Sequence, residues 1–484
     1  MTRAGYMRWL TSWLAVISLL LGFSSSGETG RRAAWPNGPL TTSGRWITDA
    51  TGAKVTYVGV NWPGSLDIMI PEGLQYQSIE TIVSKIKSLG MNAIRLTYAI
   101  EMVDQYYDNG ETDVAVQKAF TDTLGQEDGM AIYDKVVLNN PSFRAGTTRL
   151  QVYDAIAAEC AKQEIYVHLD NHVSRAGWCC SSLDGNSWWN DTYFDYANWI
   201  RGLSFMAEHG KTWPNLMSMS LRNELRIPLT DLQLANDYNW EQWYKYVRQG
   251  ADAIHSANSD VLIFLSGLDF DKNLTTVVNG AALEPGTDTF NRNDFRGYGN
   301  DKLVLELHVY DNIQGTPSNN CSVTTGKLFK AGFQTLTSSA VNQFPLVVTE
   351  FGFPQNATTA KDPYASCLLD YFPSQRAGWM IWELTGSYYT REGVKDNDEE
   401  WGLLTHDLSS WRSPDFINDL LSPAVKASMA PISNDGDNSP SGNSSNDGSP
   451  DKPNLASSLD YSQNSIVLTL GILAVVAVTS YSRR

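Results

Sequence analysis

Eight short apolar runs, each followed by a helix-like or polar stretch, recur through the middle of this chain. They are Val55–Val60, Ala93–Thr97, Ile165–Leu169, Leu216–Leu221, Val261–Leu265, Leu303–Leu307, Leu346–Thr349 and Gly378–Trp382. Most are nearly continuous runs of about five apolar residues, the pattern of strands covered on both faces. The segments between them carry helical spacing. Ile79–Leu89 places apolar residues at Ile79, Ile82, Val83, Ile86 and Leu89, and Asn239–His255 precedes the fifth run. Strands alternating with helices predict an α/β chain with a parallel sheet, and eight strands close a (β/α)8 TIM barrel. An open doubly wound sheet is the competing architecture, but no Gly-rich phosphate turn follows the first run. Tyr106–Phe143 and Trp178–Asn190 exceed what a connection needs. Both are expected above the C-terminal face of the barrel, among the loops that shape a cleft.

The bulk numbers fit a large core with appendages. Hydrophobic residues make up 42% of 484 and charged residues only 18%, which excludes wholesale disorder. A formal net charge of -17 argues against nucleic acid, whose binding depends on Lys and Arg neutralising phosphates. A neutral polymer is compatible with it. Sixteen Trp and 22 Tyr exceed the usual needs of a core, and some are expected against the C–H-rich faces of sugar rings.

The termini predict export. Arg3 and Arg8, the apolar run Trp9–Phe23 and the small residues that follow have the order of a secretory signal, with an uncleaved signal anchor as the alternative. A polar Ser433–Ser458 stretch before apolar Ile466–Thr479 suits a glycolipid-anchor signal. Arg483 and Arg484 leave a single transmembrane helix as the other option. The expected organisation is a signal peptide over 1–26, a barrel over 27–430, a polar linker over 431–460 and an apolar tail over 461–484. The protein is expected outside the cell, held at the outer face of the plasma membrane or in the wall by its C-terminal anchor, and monomeric. Asn190, Asn273, Asn320, Asn356 and Asn443 begin glycosylation acceptors. Of five cysteines, Cys160 lies in a helical stretch and reads as a buried thiol, leaving Cys179, Cys180, Cys321 and Cys367 for two disulfides of open connectivity. No Cys or His spacing suggests a metal, and neither a metal nor an organic cofactor is expected.

Polar residues just past the apolar runs carry the functional reading, because strand ends feed the active site of a barrel. They are Asn61 and Trp62, Arg95, His172, Asn223 and Glu224, His308 and Tyr310, Glu350, and Trp382 and Glu383. Merely solvated loops would favour Ser, Lys and Asp there. Glu224 and Glu350, at the ends of the fourth and seventh strands, would face each other across the barrel mouth. Trp178 and Trp188, with Trp189, are either sugar platforms or anchors of their own loop.

Leu221-Arg222-Asn223-Glu224, Leu305-Glu306-Leu307-His308-Val309-Tyr310 and Val348-Thr349-Glu350-Phe351-Gly352 resemble the active-site blocks of family 5 glycoside hydrolases, the cellulase family. Arg95, His172 in Leu169-Asp170-Asn171-His172, and Trp382 complete the set, and the resemblance covers Leu40 to Leu421. It implies a retaining β-glycosidase. Glu224 would be the general acid/base and Glu350 the nucleophile that forms a covalent glycosyl ester. Arg95 and Tyr310 would keep Glu350 ionised, and Asn223 would bind the sugar 2-hydroxyl. His172 and His308 would position substrate and tune Glu224, and Trp382 would floor the site. Asn223-Glu224-Leu225 departs from the commoner Asn-Glu-Pro, which puts substrate choice in doubt more than chemistry.

The expected substrate is a β-linked polysaccharide or oligosaccharide, with endo-β-1,4-glucanase activity foremost. Mannan, β-1,3- or β-1,6-glucan, xylan and glycolipid glycans stay open. A silent carbohydrate-binding or wall-structural protein is the alternative from another class. It would have no need of both carboxylates. Protein adhesion has no feature in its favour.

Overall fold

The computed structural model describes residues 35–310 and 319–432. Eight parallel strands close into a barrel: β1 (Val58–Trp62), β2 (Ala93–Ala99), β3 (Tyr166–Val173), β4 (Leu216–Ser220), β5 (Leu262–Leu265), β6 (Leu303–Val309), β7 (Leu346–Phe351) and β8 (Gly378–Ile381). The ring is completed by β8 pairing with β1, Met380 opposite Gly59. The TIM-barrel expectation is met.

Side chains alternate across each strand, and the two faces have different fates. On β6, Leu303, Leu305, Leu307 and Val309 join the large core between strands and helices. Val304, Glu306 and His308 take the other parity. Val304 packs with Tyr57, Ala93, Met217, Phe264, Val347 and Met380 inside the barrel, sealed at its N-terminal end by Leu40 and Ile47. Ile47 belongs to a small antiparallel sheet of Thr41–Ser43, Trp46–Thr48 and Lys54–Val55. That sheet explains the first shift from expectation. Val55 pairs with Ile47, so the barrel strand starts only at Val58.

The other shifts lie at the C-terminal ends. β3, β6 and β7 run on through His172, His308 and Glu350. An apolar-run criterion stops at such polar residues, although backbone pairing does not.

Between β1 and β2 the helix Ile79–Ser88 buries Ile79, Ile82, Val83 and Ile86, capped by the Ser78 side chain accepting from Thr81 N–H. Trp240–Ala257 forms as expected behind an Asn239 cap. The Tyr106–Phe143 segment falls largely within three helices, Ile100–Asp108, Val116–Leu124 and Gln126–Asn139. It lines no part of the cleft, contrary to expectation. Its Phe120 ring instead meets Tyr389 at 4.9 Å, and Lys395 donates to Leu124 O at 3.0 Å. The segment therefore buttresses a hairpin, Ser387–Arg391 with Val394–Asp398, that follows β8.

Cys321 is bonded to Cys367, Cys179 to its neighbour Cys180, and Cys160 is a buried free thiol. Among the described residues no helix is long and apolar enough to cross a membrane. The expected leader, the polar linker beyond residue 432, the apolar tail and Asn443 lie outside the described residues.

Candidate active site

Above its apolar plug the barrel interior becomes polar. His168 bridges the Ser218 and Ser220 hydroxyls at 2.8 Å each, and Ser220 also donates to Glu306 at 2.8 Å. Burial, helped by the nearby Arg95 charge, pushes His168 down to about 3, so its ring is neutral. Burial pushes the Glu306 carboxyl up to about 7.

Arg95, wholly buried on β2, organises the next layer. One guanidinium nitrogen donates to Asn61 Oδ1 at 2.9 Å and to Glu350 Oε2 at 2.8 Å. The other donates to Asn223 Oδ1 at 2.7 Å and pairs with Asp170 Oδ1 at 3.0 Å. Asn61 in turn donates to the carbonyls of Thr349, Met380 and Ile381, tying β1 to β7 and β8. Burial alone would raise the Asp170 carboxyl. Arg95 and the hydrogen bond from His172 Nδ1 at 2.8 Å together hold it down at about 2.

At the mouth, Glu350 on β7 accepts from Tyr310 Oη at 2.8 Å as well as from Arg95. Glu224 lies just beyond the end of β4. Burial pushes its carboxyl up, and the cations of Arg226 and its neighbours only partly oppose that. His308 Nδ1 lies 3.0 Å from Glu224 Oε1 and 3.9 Å from Glu350 Oε2. Burial holds His308 down at about 3, hence neutral. One oxygen of Glu224, one of Glu350 and one His308 nitrogen all lie within 4.8 Å of one another.

Glu224 has φ 47°, left-handed backbone that costs a non-glycine residue on the order of 1–3 kcal/mol. Its N–H donates to Asp271 Oδ2 at 2.8 Å, and Arg226 Nη1 donates to its carbonyl at 2.7 Å. These bonds hold the turn that aims the side chain into the cleft.

The cleft encloses about 470 Å³. Of the residues expected to bind substrate, His172, Trp178, Asn223, Tyr310 and Trp382 line it with both carboxylates. The Trp382 ring stacks on His172, with centroids 5.5 Å apart and planes at 6°. Arg95 and His308 do not line it: they lie beneath it and hold the carboxylates. Trp188 is a correction. It is fully buried in an aromatic cluster with Trp189 and Tyr238, so its ring anchors the loop. Glu383 also misses the cleft, accepting from Thr385 and Tyr388 hydroxyls in the core. Sequence reasoning missed the wall that the β8 hairpin and its following turn supply, with Arg391 and Asn397 through Trp401. Its charge run reads as a solvated face, and only Trp401 hinted otherwise. Phe270 was also missed. Asp170 and Glu306 are polar breaks in their strands, and that break is the sequence signal that marks them.

The description "Cellulase (glycosyl hydrolase family 5)" matches residues 48–387. A "Glycosyl hydrolase 5 family protein" of Chamaecyparis obtusa is 36% identical over 392 residues, covering 79% of this chain and 65% of that relative. The chain thus matches just under two thirds of that relative's length. An "Endoglucanase" of Paenibacillus polymyxa is 22% identical over 440 residues, covering 86% of this chain and 96% of the relative. A solved hyperthermophilic endocellulase of Pyrococcus horikoshii superposes with a TM-score of 0.59 at 18% identity, covering 80% of this chain and 98% of the other. The last likeness speaks for the fold.

Proposed function

This chain belongs to the cellulase family, glycosyl hydrolase family 5, and on that premise we propose that it is a retaining endo-β-1,4-glucanase working through Glu224 and Glu350. One observation carries the reading: oxygens of two buried carboxyl groups, one ion-paired with Arg95 and the other pushed up by burial, lie within 4.8 Å of each other at the cleft floor. Retaining glycosidases hold their carboxyl groups about 5–5.5 Å apart, and oxygens approaching within 4.8 Å are compatible with that spacing.

The chemistry follows from the settings. Glu350, ion-paired with Arg95 and accepting from the Tyr310 hydroxyl, attacks the anomeric carbon. Glu224, whose carboxyl is pushed up by burial, gives its proton to the departing glycosidic oxygen. The resulting ester joins the sugar to Glu350. Glu224, now a carboxylate, takes a proton from water, which attacks the same carbon and releases Glu350. Neutral His308, beside both carboxyls, adds no charge to the pair. The Asn223 amide faces the sugar 2-hydroxyl, and Trp382 supplies the apolar floor. Supporting the glucan assignment are these aromatic walls and the endoglucanase relative.

A substrate panel tests the whole reading: β-1,4-glucan, mixed-linkage glucan, β-1,3- and β-1,6-glucan, mannan and xylan, with first-product anomers followed by NMR. β-Configured products from β-1,4-glucan, lost in Glu350→Gln, are expected. α-Configured first products would refute retention, and turnover of another polymer alone would refute the glucan assignment. Binding without turnover would move the protein to the silent carbohydrate-binding class.

We further propose that the protein is exported and held at the outer cell surface by a C-terminal lipid anchor. The Ser433–Ser458 stretch and the Ile466–Thr479 run support this. Release of activity from cells by phosphatidylinositol-specific phospholipase C is expected. Activity that stays with the membrane after that treatment, but leaves with detergent, would favour a transmembrane helix.

A further inference from the structure

The cleft contains a group that the proposed chemistry does not use. Cys179 and Cys180, adjacent in sequence and bonded to each other, are half-buried residues of its wall. They follow Trp178, whose ring sits edge-on to Trp382 at 6.4 Å under the Arg391 guanidinium at 3.4 Å. The wall therefore continues from the Trp382 floor through Trp178 to the two sulfurs. Both sulfurs and a Glu224 carboxylate oxygen lie within 4.8 Å of one another. A glycosidic oxygen close enough to take the Glu224 proton brings its sugars alongside that disulfide.

The sulfurs also meet Asn223. Its Nδ2 donates to Cys180 Sγ at 3.4 Å and Cys179 Sγ at 3.6 Å, while its Oδ1 accepts from Arg95. The amide is thus held at both ends, by a cation beneath and by sulfur at the cleft. A bond between neighbouring residues closes a ring of backbone and side chain, so both sulfurs are fixed relative to the chain. Reduction opens that ring and returns rotamer freedom to two thiols, leaving the amide held only by Arg95.

We propose that the Cys179–Cys180 disulfide is a substrate-contacting wall of the cleft that also positions the Asn223 amide, so that full activity requires it oxidised. The polarisable sulfurs would pack against sugar C–H groups. Thiol–disulfide exchange with two equivalents of a thiol would convert it to two cysteine thiols and one external disulfide. This inference rests on the cleft being a glycan site.

The test uses the full chain carrying Glu350→Gln, with cellotetraose as probe and calorimetry to confirm binding. Dithiothreitol reduction is followed by iodoacetamide trapping and peptide mass spectrometry. Saturating cellotetraose should slow labelling of Cys179 and Cys180 at least about fivefold, with the Cys321–Cys367 pair as the internal reference. In parallel, Cys179→Ser/Cys180→Ser in the otherwise active chain should lose about tenfold in kcat/KM on aryl β-glycosides at an unchanged Tm. The same pair of changes should cost much less in an Asn223→Ala background, because the positioning acts through that amide. Bound cellotetraose that leaves the labelling rate unchanged would overturn the substrate-contacting wall. An equal cost of the serine changes in both backgrounds would overturn the positioning. Failure to bind cellotetraose counts instead against the glucan assignment, and the aryl glycoside arm then decides the role of the disulfide.

Discussion

Replacing Arg95 with Met would remove the guanidinium that pairs with Asp170 and Glu350 and donates to Asn61 and Asn223. Deleting one partner of a buried ion pair leaves an uncompensated charge and costs about 3–5 kcal/mol. The Asp170 share can be worked from its acidity. Its carboxyl falls from an ordinary 3.8 to about 2 in the folded protein. At about 1.36 kcal/mol per unit, that is about 2 kcal/mol of stability. Because the folded group is the more acidic, this contribution is complete above an unfolded pKa of 3.8 and is lost as pH falls through about 2. Without Arg95 the sign reverses. Burial then raises the Asp170 carboxyl, and protonation relieves the cost. Calorimetric Tm should therefore fall by several degrees at about pH 7, with the deficit shrinking toward about pH 4. A deficit that stays constant or grows as pH falls would show that Arg95 is not the counter-charge of this layer.

Glu350→Ala should abolish turnover, with azide restoring it as a glycosyl azide. Either no rescue or retained activity, followed by NMR, would remove Glu350 from the nucleophile role. Glu224→Ala should spare substrates with good leaving groups, such as dinitrophenyl glycosides, and lose polymer hydrolysis by on the order of 100–10,000-fold. Equal loss on both would count against proton donation. Arg226 is the largest influence that lowers Glu224. Arg226→Met should raise the Glu224 carboxyl and carry the alkaline limb of kcat/KM to higher pH, by up to about one unit. Trp188→Ala and Trp382→Ala should part company. The buried ring should cost about 3–5 kcal/mol of stability with KM unchanged, whereas the cleft ring should raise KM with little change in Tm. Reversed outcomes would restore Trp188 to the substrate.

The sequence by itself determined the barrel and most of its mouth. Eight apolar runs require cover on both faces, and a parallel sheet wrapped in helices gives it. Glu224, Glu350, His172 and Trp382 were legible because polar and aromatic residues break the apolar pattern at the strand ends, where a barrel places its cleft. Periodicity did not say which polar residues reach the cleft and which lie below it. Arg95 and His308 read like ligand-facing groups. Only packing buried them, because inward positions at successive heights of a closed barrel meet side chains from strands far apart in sequence. Asp170, 75 residues beyond Arg95, becomes its counter-ion through that closure. Trp178 and Trp188 belong to one loop of similar composition, yet one lines the cleft and the other anchors the loop. The loop's path decides that, and no local pattern encodes it. The Tyr106–Phe143 insertion was visible as extra length. Its effect on the cleft is indirect, through contact with a hairpin more than 240 residues further along the chain. Local physics wrote the strands, the helix caps and the two carboxylates into the sequence. Which groups touch, at what depth and with what charge beside them was decided by chain closure.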